Sequence, residues 1–343
     1  MILNGWYVAA WAHELDSTTP VARMICNNPI VLFRMADGKA AALLDRCCHR
    51  AAPLHLGRVV AGGIECGYHG MVFDNQGRCV AIPAQDTIPA SAKVKSFPTI
   101  EKNQQIWIWT GEAGLADESL IPDFPWHDNK ENWSFRYAAY KIAANHMLSI
   151  DNLMDLTHVA YVHRKTLGTG APQAHLDATL ATTVKDRGVK FISWMLNSVP
   201  PATFVRTLGF TTNVDRWREF EFIAPGTVIQ FTGGQEVGKR AYEDDRRDGG
   251  YQLRRFHCFT PETERTTHYF SSVGNGHRPD DPAATEELFH EIDITVREDI
   301  AMVEAQHQEL ERHGEEGLMA IKSDATRIAM RRIVARLLEQ QQG

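Results

Sequence analysis

The chain has 343 residues, 43% hydrophobic and 23% charged, enough for two domains with a sizeable core. A net charge of −7, a pI near 6.1 and the lack of any basic run exclude a polyanion-binding role, so neither nucleic acid nor a membrane surface is expected as a partner. The N-terminus shows no signal-peptide pattern and no apolar stretch reaches membrane-span length, which makes the cytoplasm the expected compartment.

Residues 1–115 read as β-rich. Short apolar runs such as Ile30–Phe33, Ala41–Leu44 and Ile106–Trp109 are separated by turn signals at Asp37-Gly38, Gly62-Gly63 and Asn75-Gln76-Gly77. Within this part lies Cys47-Cys48-His49, then sixteen residues, then Cys66-Gly67-Tyr68-His69. Two thiolates and two imidazoles suit a tetrahedral zinc, or a [2Fe–2S] cluster in which two His replace two Cys on one iron, the Rieske arrangement. Mixing Cys with His in each half favours the cluster, because zinc ribbons pair like with like. Gly67 and Gly70 are expected to let the backbone approach the cluster. The other cysteines, Cys26, Cys48, Cys79 and Cys258, are expected to pack as small buried hydrophobes rather than form disulfides.

Residues 116–132, with Pro122 and Pro125, read as a linker to a second domain over 133–343. A helix is expected from roughly Lys141 to Tyr161, followed by strands at Lys190–Leu196, Arg218–Phe222, Thr227–Phe231, Tyr251–Phe259 and Thr267–Ser272. Gly233–Gly250 reads as a mobile loop. Pro282 to about Arg312 is expected as a long helix, and Asp324–Gln340 as another.

The stretch Asp151–His163 sets two carboxylates and two imidazoles among apolar residues. Burial of such groups is costly without compensation, and a metal is the usual compensation for paired histidines. His158 and His163 supply two nitrogens of the two-His, one-carboxylate set of non-haem Fe(II) oxygenases. On a regular helix Asp151, Asp155 and His158 share a face while His163 falls off it, so the helix must loosen or end near His163. The third ligand is expected in the long C-terminal helix. Its apolar stripe runs through Ile292, Val296, Ile300 and Val303, and Asp299 points into it while Glu298 falls beside it. Asp155 is left to orient a ligating His, or to link two redox centres by accepting hydrogen bonds from a His on each.

Taken together, CCHRAAPLHLG with CGYHG, and DNLMDLTHVAYVH, resemble the two metal motifs of the Rieske non-haem iron oxygenase α-subunits across the whole chain. WYVAAW, the Thr260–Glu264 run and the segment bearing Asp299 are similar to the vanillate demethylase, dicamba demethylase and toluenesulfonate methyl-monooxygenase branch. The resemblance implies an α+β chain: an all-β Rieske domain, then a helix-grip catalytic domain with an antiparallel sheet and long helices. It implies a homotrimer in which His69 meets Asp155 of a neighbour, with Asn152 close to the iron and Gln230, His257 and His290 lining the substrate pocket. His257 would hydrogen-bond an anionic substituent.

The implied reaction is O2-dependent hydroxylation of a methyl group on an aromatic acid. The first expectation is O-demethylation of a methoxybenzoate such as vanillate, with release of formaldehyde. The alternative is methyl hydroxylation of a toluenesulfonate- or toluate-like substrate, to which the Thr166–Thr169 segment is closer; N-demethylation and ring dihydroxylation follow. The chain has no G-x-G-x-x-G and no second Cys-rich cluster motif, so NAD(P)H, flavin and any further iron–sulfur cluster are expected in a separate reductase, with or without a ferredoxin. An electron-transfer or zinc protein without catalysis is the competing class, and it leaves His158, His163 and Asp299 unexplained.

Overall fold

The computed structural model describes residues 1–83, 85–164 and 178–342; the Thr166–Thr169 segment lies outside them. Met1–Asp123 with Thr260–Glu264 form one unit, and Phe124–Phe259 with the chain from Arg265 form another. The boundary falls inside the expected linker, whose residues form short helical turns at Glu118–Leu120 and Pro125–His127.

Among the described residues the first unit holds three sheets. In one, β1 (Trp6–Trp11) and β10 (Thr99–Lys102) flank β11 (Gln105–Trp109). The second runs β2 (Val21–Ile25), β3 (Asn28–Arg34), β4 (Ala40–Leu44) and β9 (Ser96–Phe97). The third runs β5 (Arg58–Val60), β6 (Gly63–Glu65), β7 (Val72–Phe73) and β8 (Cys79–Ala81). Strand β3 shows why this fold presents two loops together. Its residues alternate between faces, so Ile30 and Leu32 join a core with Tyr7 and Ile106, while Val31 and Phe33 join another with Cys47, Leu54, Cys66 and Met71. Both cysteines are thus anchored on one apolar floor.

In the second unit β12 (Ser134–Ile142), β13 (Thr179–Val184), β14 (Gly188–Ser198), β15 (Val214–Ile223), β16 (Thr227–Glu236), β17 (Tyr251–Pro261) and β18 (Thr267–Asn275) form one sheet, ordered β12-β18-β17-β16-β15-β14-β13. The helices are α1 (His146–Leu153), α2 (Val159–Val162), α3 (Ala202–Leu208), α4 (Pro282–His313) and α5 (Ala325–Gln342). Helix α4 packs on β12, β18 and α1. Its start is fixed by Asp281, whose side chain accepts from Ala284 N at 3.0 Å, and by Pro282 in the first turn. It ends at Gly314, whose φ is +72°.

Two expectations need correction here. The helix expected over Lys141–Tyr161 is instead the end of β12, then α1, then a break. Asn145 caps α1 by accepting from Met147 N, and at Asp155 the backbone turns extended (φ −136°) before a new helical turn. Asp151, Asp155 and His158 therefore do not share a helix face. Asp151 pairs with Arg331 at 2.9 Å, and Asp155 caps the new turn. The expected loop over Gly233–Gly250 is shorter at its start, because β16 runs through Glu236 and pairs with β15 to its end.

Candidate metal centres and active-site cavity

The two cysteine–histidine loops are built alike. Cys47 N donates to Ala52 O at 2.8 Å and Ala51 N to Cys47 O at 3.0 Å; Cys66 N donates to Met71 O at 2.8 Å and Gly70 N to Cys66 O at 3.0 Å. Ala51 and Gly70, at the matching position of each loop, both have positive φ (+58° and +73°). Asp45 pins the first loop by accepting from His55 N at 2.8 Å. Gly67 also serves the meeting of the two loops. A Cβ there would lie 2.7 Å from Leu56 O, so the glycine lets the two loops approach each other.

Cys47 and Cys66 are buried, whereas His49 and His69 are exposed with ring centroids 4.6 Å apart. Burial pushes the Cys47 thiol up to about 11, with Cys66 beside it. Such a buried thiol pair suits a bound cation. Among the described residues, the donors gathered tightly enough for a single ion are His158, His163 and Asp299, not these four. A tetrahedral zinc needs all four donors around one ion; a two-iron cluster separates thiolates from imidazoles. The loops therefore fit the cluster. Cys48 departs from expectation, since it is exposed; Cys26, Cys79 and Cys258 are buried.

The second set is assembled from α4 and the broken α1–α2 segment. The ligand atoms of His158, His163 and Asp299 lie within 4.8 Å of one another. His158 Nε2 and His163 Nε2 are 3.5 Å and 3.2 Å from Asp299 Oδ1. Their other nitrogens are occupied: His158 Nδ1 pairs with Asp155 O at 2.6 Å, and His163 Nδ1 with Glu298 Oε2 at 2.6 Å. Acceptors at Nδ1 fix the tautomer that leaves Nε2 as a metal donor, so the set fits a ferrous ion. Burial alone would lower His163, but Asp299 and Glu298 hold its pKa above the ordinary value; His158 is held below its own by burial.

Glu298, read from the sequence as off the stripe, is the residue that orients His163. The Asp155 carboxylate does not orient His158; its backbone carbonyl does, while the carboxylate accepts from Thr157 N at 2.9 Å and Ser323 Oγ at 3.0 Å. Asn152 Nδ2 reaches Asp299 Oδ1 at 3.3 Å.

A cavity of about 420 Å³ opens beside this set, lined by Leu153, Val159, Phe220, Leu253, Leu288 and Ile292 among others. Gln230 lines it; His257 and His290 do not. His290 is exposed on α4, and the cavity wall is taken by Glu291, Ile294 and Thr295 instead. His257 is fully buried behind the wall, with Nε2 3.1 Å from Gln230 Oε1 and Nδ1 2.7 Å from Tyr269 Oη. Burial holds it well below its ordinary pKa, and therefore neutral. Sequence reasoning missed Arg216 and Arg218, whose alternating positions on β15 put both on the cavity wall.

Comparison with known proteins places two families side by side on the chain. The Rieske [2Fe-2S] domain matches residues 5–98, and the vanillate O-demethylase oxygenase C-terminal domain matches residues 142–340. The chain is 34% identical to the iron-sulfur subunit of a toluene-4-sulfonate monooxygenase system from Comamonas testosteroni, covering 100% of this chain and 98% of that one. It is 34% identical to a vanillate O-demethylase oxygenase subunit from Pseudomonas sp., covering 99% and 95%. A crystal structure of dicamba monooxygenase bound to 3,6-dichlorosalicylic acid superposes with a TM-score of 0.91 at 32% identity, covering 100% and 99%.

Proposed function

This chain belongs to the Rieske-type oxygenases with a vanillate O-demethylase C-terminal domain, and from that premise we propose that it hydroxylates the methyl group of an aromatic acid. It is an oxidoreductase, the oxygenase component of a multi-component Rieske monooxygenase, with a Rieske [2Fe–2S] cluster and a mononuclear non-haem iron as cofactors. Our first reading of the substrate is a methoxybenzoate such as vanillate.

The observation that carries this reading is the convergence of His158, His163 and Asp299 at the edge of a largely apolar cavity. When bound, the cluster supplies single electrons and the iron activates O2. Cys47, His49, Cys66 and His69 would hold the cluster, its thiol end buried and its imidazole end facing outward. His158, His163 and Asp299 would hold the iron, with Glu298 and the Asp155 carbonyl keeping both imidazoles in the ligating tautomer. Leu153, Val159 and Phe220 hold the methyl group and exclude water. One methyl C–H bond, O2, two electrons and two protons give C–OH and water. On a methoxy group the hydroxylated product is a hemiacetal, which expels formaldehyde and leaves the phenol.

No helix among the described residues is long and apolar enough to cross a membrane. In our reading the protein works in the cytoplasm as a homotrimer with heterologous contacts, across which His69 and Asp155 of the next subunit meet. Electrons come from NAD(P)H through a separate flavin and iron–sulfur reductase.

The test is a formaldehyde assay over methoxybenzoates with a generic reductase. Formaldehyde and phenol in equal amounts are expected; O2 consumption with no oxygenated product from any aromatic acid would contradict the reading. The full-length similarity to a toluene-4-sulfonate monooxygenase subunit favours a second reading, methyl hydroxylation of an arenesulfonate. In that case 4-toluenesulfonate, run in the same assay, yields a hydroxymethyl product and no formaldehyde.

A further inference from the structure

The cavity wall carries positive charge for which the described residues show no counter-charge. Along β15, Arg216, Arg218 and Phe220 face the cavity, while Trp217 and Glu219 face the other way. Glu219, the carboxylate next to Arg218 in sequence, is spent on that other face, where it pairs with Lys190 at 2.8 Å and Arg247 at 2.7 Å. Arg206, a third arginine on the wall, is held by Glu287 and Glu291.

Arg216 and Arg218 have no ion-pair partner among the described residues. Arg218 is 8% exposed, and the Nε atoms of both are buried without a hydrogen-bond partner. Arg216 lies over the Phe204 ring at 5.6 Å. Burial pushes Arg218 down to about 9, with Arg216 adding to the fall, and burial pushes Arg216 to about 10. Both stay charged at neutral pH, and a buried unpaired cation is costly. Of the neutral polar groups nearby, the Gln230 amide is already engaged. Gln230 Nε2 donates to Thr232 Oγ1 at 2.8 Å, and Gln230 Oε1 faces His257 Nε2. Among the described residues, the buried nitrogens of this wall that lack a partner are the Nε atoms of the two arginines.

We propose that Arg216 and Arg218 form the anion subsite of the cavity, taking the sulfonate or carboxylate of the aromatic substrate and so fixing which end of it meets the metal set. The inference rests on reading the cavity as an aromatic-acid site. A guanidinium fork matches the oxygens of either anion. The Gln230–His257 pair, closed on itself, then shapes the wall and does not bind the charge.

The test compares cluster- and iron-loaded wild type with Arg218→Met and Arg216→Met. Binding of 4-toluenesulfonate, 4-methylbenzoate and neutral 4-methylanisole is measured by calorimetry, with circular dichroism and cluster absorption confirming the fold. Arg218→Met is expected to weaken both anions by about 100-fold, the scale for leaving a buried polar group unpaired, and to leave 4-methylanisole unchanged. It should also melt no lower than wild type without ligand, because a buried charge has been removed. Folded variants that bind the anions as tightly as wild type would overturn the subsite. Should neither variant fold, wild type alone decides: equal affinity for 4-methylanisole and the anions overturns it, and at least a tenfold preference for the anions supports it. If the anions bind through the arginines but no oxygenated product forms, the proposed reaction fails while the subsite stands. If both variants oxidise and bind the anions like wild type, the subsite fails while the reaction stands.

Discussion

The cluster loops and the mononuclear site solve the same problem at different ranges along the chain. In the loops, each Cys and its His are two or three residues apart, and two similar backbone turns hold them. At the mononuclear site, His163 and its orienting Glu298 are 135 residues apart, and Asn152 and Asp299 are 147 apart. The first site is closed by local hydrogen bonds on an apolar floor. The second exists only once α4 has packed against α1 and the sheet. The two should therefore fail independently, and each substitution below probes that separation.

The largest effect is expected from removing a ligand. His163→Ala should lose mononuclear iron and all turnover while keeping the cluster's visible absorption, and Cys66→Ser should lose that absorption and turnover while keeping the mononuclear iron. Metal and sulfide analysis with a visible spectrum checks both; iron retained in full by His163→Ala would break the assignment.

Asp155→Asn tests the proposed connection between the two sites. An asparagine oxygen still caps Thr157, so both metals should stay bound. Turnover should fall by about 100-fold or more, the scale of a misaligned reaction path. Wild-type rates in a single-turnover assay would remove Asp155 from electron transfer between subunits.

Glu298→Gln leaves every ligand in place and should weaken iron binding by about 10- to 100-fold, with cluster content unchanged. Iron titration against a chelator reads this directly. Unchanged affinity would mean that packing alone orients His163.

The smallest effect concerns α1, which carries Asn152 toward the metal set. Burial lowers His146 to about 3. Its folded-state pKa is depressed below the unfolded value of about 6.5, so its neutral form is favoured by folding. Stability is full above pH 6.5 and falls as pH drops toward 3, by about 1 kcal/mol per pH unit. Urea midpoints of His146→Gln between pH 7.5 and 5.5 should show a slope shallower by about half a proton, and parallel slopes would count against it.

Legibility in the sequence follows the same division of range. Cys47, His49, Cys66 and His69 stand out because local spacing is their geometry. Asp299 was legible because Ile292, Val296 and Val303 set the phase of its helix. Glu298 was not, since only the distant position of His163 gives it a partner. The run through Lys141–Tyr161 reads as one helix because its apolar residues suit helical spacing; pairing of Ser134–Ile142 with β18 and the cap at Asp155 override that reading. Arg216 and Arg218 were invisible because two alternating arginines on a strand read as a solvent face until the sheet shows a cavity there. His290 failed for the opposite reason. A position taken from relatives does not say which side of α4 it occupies.

The central claim is that this one polypeptide carries a two-iron cluster and a separate single iron in distinct units. Mössbauer spectroscopy on the purified, iron-57-reconstituted chain tests it most directly, with acid-labile sulfide measured on the same sample. The account predicts about three irons and about two sulfides per chain, with two distinguishable cluster irons and one high-spin ferrous ion. Zinc without sulfide, or one class of iron alone, would contradict it.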